Sequence, residues 1–260
     1  MEFELFSLTE LPLAPLDVGL LTAVALATSM LSAIVGMAGG ITLLSVMLLY
    51  LDPLVAIPIH GVVQLVSNGS RAWVQRRHVE RGIALRYGVL LLPMGFAGLG
   101  LAQSLPPDVT RVAIGVFVLL ATWAPGLLLL GSHPEATDRN RRFFFLGGVV
   151  GFINVTIGAT GPLIAPFFLN LGLSRQALVG TKATCQMLGH LAKLVVFGVV
   201  GFAFGAWALV LGLLCVAVVV GTWLGSRLLE RVNEQTFIRL YKTVLTLVAI
   251  RLIAAVLISL

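Results

Sequence analysis

The chain has 260 residues, 58% of them apolar and 11% charged, with a mean hydropathy of +1.04. Soluble domains carry roughly 25% charged residues, so this composition excludes an ordinary water-soluble enzyme. The net charge of +6 and pI near 10 do not point to nucleic acid, because the basic residues fall between apolar runs and read as topology signals.

Residues 1–17 are acidic and lack a basic n-region, which predicts an extracytoplasmic tail rather than a cleavable signal peptide. Apolar segments follow at 18–35, 40–51, 55–75, 84–105 and 109–130. A hydrophilic stretch, 131–142, reads as a cytoplasmic linker, and five more segments follow at 143–157, 161–172, 177–198, 206–228 and 237–258. The breaks carry turn chemistry, as at Asp52-Pro53 and Pro106-Pro107-Asp108. Cys185 and Cys215 lie inside apolar stretches without a CxxC pair, so they read as buried, inert thiols. The expected fold is an all-α polytopic membrane protein, since only self-bonded helices or closed barrels satisfy backbone polar groups in lipid.

Sliding the chain by 122 residues places Gly36 on Gly158, Gly39 on Gly161, Gln64 on Gln186 and Arg71 on Lys193. The polar series His60, Gln64, Asn68, Arg71 falls on Lys182, Gln186, His190, Lys193, and both step by four, four and three residues. That spacing keeps each series on one helical face. Five segments, a linker and five segments therefore read as two repeats, 18–130 and 143–260.

The excess of Lys and Arg sets the topology. Arg76, Arg77, Arg81 and Arg86 are assigned to the cytoplasm, with Arg139, Arg141, Arg142, Arg175 and the 227–242 stretch. Asp52, Pro106–Asp108 and the uncharged Gly201–Gly205 turn come out on the other side, with Arg111 snorkelling outward. Both termini then face outward and the repeats are inverted, giving eight to ten transmembrane helices. Segments 40–51 and 161–172 span only about 18 Å of helix, short of a hydrocarbon core of about 30 Å. They are expected to form hairpins whose glycine-rich tips end inside the protein, as spans or as re-entrant pairs.

Short, glycine-interrupted segments at matching places in inverted halves point to a transporter's binding site, and the helices that follow them offer free N–H groups to an anion. Gly39 and Gly161 mark the two tips. Gln64 and Gln186 should lie near the midplane, surrounded by His60, Asn68, Lys182 and His190, with Arg71 and Lys193 further along as a possible anion pathway. A central lysine costs about 2.5–3.5 kcal/mol on insertion scales. All eleven Asp and Glu residues fall in the tail, loops or segment ends, so a mobile anion is the natural counter-charge for Lys182, with snorkelling or carbonyl capping as the other reading. No metal site, cofactor or catalytic group is expected, because the central histidines have no carboxylate or thiolate companions.

The stretch GMAGG with PIHGVVQLVSNGSR (Pro58–Arg71), followed by GATGPLIAPFF with VGTKATCQMLGHLAK (Val179–Lys193), resembles the TauE/SafE sulfite-exporter family, also called the toluene sulfonate uptake permease group. The resemblance covers nearly the whole chain in length, repeat structure and hydropathy. It implies a multi-pass protein of the bacterial inner membrane that carries a small organosulfur anion, such as sulfite, sulfoacetate or a sulfonate, commonly outward. Gly39, Gly161, Gln64, Asn68, Lys182, Gln186 and His190 stand at family-like motif positions. The alternatives are a permease or channel for another small anion or solute, and a non-transport accessory protein. The latter is disfavoured because a thiol carrier needs a cysteine pair and a hydrolase needs carboxylate or Ser/His groups within the segments. The sequence leaves the oligomeric state open.

Overall fold

A computed structural model describes residues 13–35, 38–129, 138–168, 171–228 and 234–259. Most of the acidic tail, the Gly36–Met37 part of the first tip, most of the 131–142 linker and Arg231 lie outside the described residues. Among the described residues the chain is entirely helical, without strands.

The first half comprises α1 (Pro15–Val35), α2 (Ala38–Met47), α3 (Pro53–Val74), α4 (Arg81–Val89), α5 (Leu91–Ser104) and α6 (Pro107–Trp123). The second comprises α7 (Arg139–Thr156), α8 (Gly161–Ile164), α9 (Arg175–Val199), α10 (Ala208–Leu228) and α11 (Glu234–Ser259). Local chemistry sets the boundaries. Pro53 and Pro107 occupy first-turn positions of α3 and α6, where a missing N–H costs nothing. The side chains of Asp138 and Ser174 accept hydrogen bonds from the first free amides of α7 and α9.

Several boundaries differ from the sequence reading. The segment expected over 84–105 is two helices, α4 and α5, bent by 40°. Pro93 accounts for the break: it has no N–H for the Val89 carbonyl and its ring crowds that turn. The segment expected to run to 130 ends at Trp123, because Pro125 drives Ala124 out of helical geometry (φ −137°, ψ 54°). α7 begins at Arg139, four residues before the expected start.

α1 packs along α10 and α2, α3 along α9, α5 and α4 along α7, and α6 along α11. The molecule has an apolar core with a buried polar set inside it, and an apolar exterior. Thr28, Ser45, His60, Asn68, Asn154, His190 and Lys193 are buried, whereas Leu85, Val116, Phe145, Leu191, Val216 and Leu247 are exposed. A soluble monomer rarely exposes so much contiguous apolar surface. Among the described residues, the stretch Phe204–Gly225 is by itself long and apolar enough to cross a bilayer, and α4 with α5 passes only as a pair. Length and apolarity alone therefore mark fewer spans among the described residues than the eight to ten transmembrane helices expected. α2 and α8 are too short, while α3 and α9 carry the polar ladders and bury those faces inside the bundle.

Ion pairs tie the two ends of the bundle. Arg111 does not merely snorkel: it bonds Asp52, the N-cap of α3, at 2.5 Å and Asp108 at 3.1 Å. At the opposite end of α3, Arg139 bonds Glu80 at 3.0 Å. The Glu80 amide donates to Thr181 Oγ1 on α9 at 2.9 Å.

Candidate functional site

α3 and α9 run antiparallel at close range. Gly61 meets the stem of Lys193, Gly69 faces Met187, and Gly180 meets Gln75. Their polar faces therefore point at one another near their middles. The His60 and His190 rings lie 5.9 Å apart, edge to face.

Both glycine-rich tips reach this interface. Gly40 and Ile41 at the first, with Ser32 of α1, and Ala159, Thr160 and Gly161 at the second, line a cavity with His60, Gln64, Asn68, Arg71, Gln186 and His190. Its volume is about 20 Å³, room for about one water molecule. Every ionisable side chain in the lining is a base.

The tips are held by side chains of α3 and α9. His60 Nε2 donates to the Gly40 carbonyl at 2.8 Å, and the Lys193 ammonium donates to the Gly158 carbonyl at 2.7 Å. Gly158 has φ +91°, and a Cβ there would lie 2.7 Å from Leu44 Cδ2. Only glycine turns the chain here at low cost. Gly39 is needed for a close approach, since a Cβ would overlap the Thr28 carbonyl and Ser32 Oγ. Elsewhere in the lining, Asn68 donates to the Gln64 carbonyl at 3.0 Å and Arg71 to Ser67 Oγ at 2.9 Å. His60 Nδ1, His190 Nδ1 and Arg71 Nε are buried without a hydrogen-bond partner among the described residues. A hollow lined by the Gln64, Gln186 and Asn68 amides and the Arg71 guanidinium, with no carboxylate, suits an oxyanion, which offers only lone pairs and negative charge.

The residues singled out in the sequence divide. His60, Gln64, Asn68, Arg71, Gln186, His190 and Gly161 line the cavity. Gly39 lies beside it, buried against α1. Lys182 does not line it. It sits one helical turn before Gln186, partly buried and within electrostatic reach of Arg71. Lys193, expected further along the pathway, is instead 0% exposed. Sequence reasoning passed over Ser32 and Thr160. Ser32 was detectable, because the 122-residue shift pairs it with Asn154, another buried polar residue.

The description "Sulfite exporter TauE/SafE" matches residues 21–252, nearly the whole chain. No curated protein and no solved structure matches significantly. The helical bundle, its apolar exterior and this match agree: the chain belongs to the TauE/SafE sulfite exporter family of integral membrane transporters.

Proposed function

We propose that the protein is a secondary transporter that exports a small organosulfur oxyanion, such as sulfite, sulfoacetate or another sulfonate, across the bacterial inner membrane. The observation that carries this reading is the convergence of both tips and both polar ladders on one carboxylate-free cavity. Gln64, Gln186 and Asn68 replace the substrate's hydration, with His60 and His190 beside them in the lining. Gly39 and Gly161 permit the tips to approach, and Arg71, Lys182 and Lys193 supply positive charge.

Two inverted repeats, 18–130 and 143–260, explain why the partnership of α1 with α10 has a counterpart in α7 with α5, and why α3/α9 and α6/α11 each pair with their own equivalents. The orientation with both termini outside is supported by tryptophan–cation pairs: Arg76 over Trp73, Arg227 over Trp223 and Lys242 over Trp123, at 4.5, 3.9 and 5.0 Å. All three fall on the side assigned to the cytoplasm, where basic residues and interfacial tryptophans are expected. A cavity of about 20 Å³ favours a carrier over an open pore, since substrate is admitted only when one part of the bundle moves against another. Each net negative charge leaving an inside-negative cell gains about 2.3 kcal/mol per 100 mV.

Sulfite flux in proteoliposomes tests this. Saturable flux that falls at least tenfold in the Gln64→Ala/Gln186→Ala variant is expected. Undiminished flux in that variant overturns the site, and no flux of any small organosulfur anion by the wild type overturns the function.

A further inference from the structure

His60 is fixed in one tautomer by its neighbour. The Gly40 carbonyl, 2.8 Å from Nε2, can only accept, so Nε2 carries the proton of the neutral ring. Nδ1 then carries a lone pair; it is buried and makes no hydrogen bond among the described residues, with the Gly158 backbone near the ring. It belongs to a residue that lines the cavity. To an oxyanion, a lone pair is repulsive. Protonating Nδ1 turns it into a donor with a positive charge.

The groups facing His60 are all basic. From α9 come the Lys193 ammonium, already bonded to Gly158, and the His190 ring, whose own Nδ1 is unpartnered. α2, also packed on α3, has no ionisable side chain. α10 has Cys215 and, in its last turn, Arg227. α6 has Asp108 and Arg111 in its first turns, where Arg111 bonds both Asp108 and Asp52, the N-cap of α3. Arg71 lies three turns further along α3, with Lys182 beside it. No carboxylate in the lining offsets a positive charge on His60 while the cavity is empty of anion. An anion in the cavity supplies that offset and rewards the proton.

We propose that His60 is a proton site coupled to the anion site: loading an oxyanion draws one proton from the same aqueous face onto Nδ1, and the two cross together. The neutral imidazole becomes imidazolium as the proton binds, and returns to neutral as proton and anion leave on the other side. No other reactant is needed. A sulfite dianion then crosses with one net negative charge and is still driven outward by the membrane potential, whereas a monoanionic sulfonate crosses with none. His190, ring to ring with His60, stabilises the imidazolium as its nearest neutral neighbour. This inference rests on the cavity being an anion site.

Titration calorimetry of the purified protein with sulfite, in two buffers of different ionisation heat, counts protons taken up per anion. The work is done on the alkaline side of sulfite's own titration, so that the ligand arrives as the dianion. The expected result is one more proton per sulfite in the wild type than in His60→Gln, which keeps an N–H for Gly40 but cannot titrate. Equal uptake in both, with sulfite still bound, overturns the proton site and leaves the anion site standing. No sulfite binding by the wild type overturns the anion site itself. Should His60→Gln fail to fold, the wild type alone decides: its affinity for sulfite must fall about tenfold per pH unit in that range, and a flat profile overturns the proposal.

Discussion

The Lys193 ammonium and the Gly158 carbonyl, 2.7 Å apart, join the middle of α9 to the tip that follows α7. Lys193 is the largest charged side chain wholly buried among the described residues. Replacing it with methionine keeps the stem against Gly61 but removes the charge and orphans the carbonyl. Losing the partner costs about 1–3 kcal/mol, while removing a buried charge offsets part of that cost. Lys193→Met is therefore expected to melt near the wild type in detergent yet bind sulfite at least tenfold more weakly.

Gly158 and Gly172 both have positive φ, +91° and +67°, but only Gly158 has neighbours where a Cβ would go. Alanine at Gly172 should cost only backbone strain, about 1–2 kcal/mol. Alanine at Gly158 carries the same strain plus overpacking against Leu44 and Ile57, a further 1–3 kcal/mol or so. Thermal denaturation of the two variants checks the order, and equal losses would refute the steric argument.

Lys182 acts at a distance, so its charge matters more than its shape. At about 10 Å and an effective dielectric near 20, a unit charge contributes about 1–2 kcal/mol to an anion, or roughly five- to thirtyfold in affinity. Lys182→Gln should weaken sulfite binding by that factor and Lys182→Arg should restore it. Failure of arginine to restore binding would mean that Lys182 touches the substrate directly.

Tyr87 is wholly buried and its hydroxyl lacks a hydrogen-bond partner among the described residues, as does the Asn154 side-chain oxygen. An unsatisfied buried group costs about 1–3 kcal/mol. Tyr87→Phe is therefore expected to raise the melting temperature without altering sulfite affinity, because Tyr87 is not part of the cavity lining. A lowered melting temperature would show that the hydroxyl is bonded in solution.

Much of this fold is legible in the sequence because helices obey local rules. Apolar runs and proline- or aspartate-marked breaks located α3, α9 and α10 to within a few residues. The paired steps of four, four and three residues put His60 and Gln64 on one face of α3, and Gln186 and His190 on one face of α9. Depth along a helix is less legible. Lys182 and Lys193 are both one register step from a cavity residue, yet α9 meets α3 so that Gly61 opens space for one stem and nothing equivalent seats the other. That difference arises between helices, where a pattern read along one segment has no purchase. The Leu90 break was missed for a simpler reason, since Pro93 lies in a run otherwise apolar enough to pass as one span.

The ion pairs at the two ends of α3 bear on how the transporter opens. Arg111–Asp52 and Arg139–Glu80 are both partly solvated, and such pairs contribute about 0.2–1 kcal/mol each. Neither pair is strong enough to hold its end of the bundle together alone. Most of the cost of opening the cavity therefore lies in separating α3 from α9 and the tips from the His60 and Lys193 side chains that hold them.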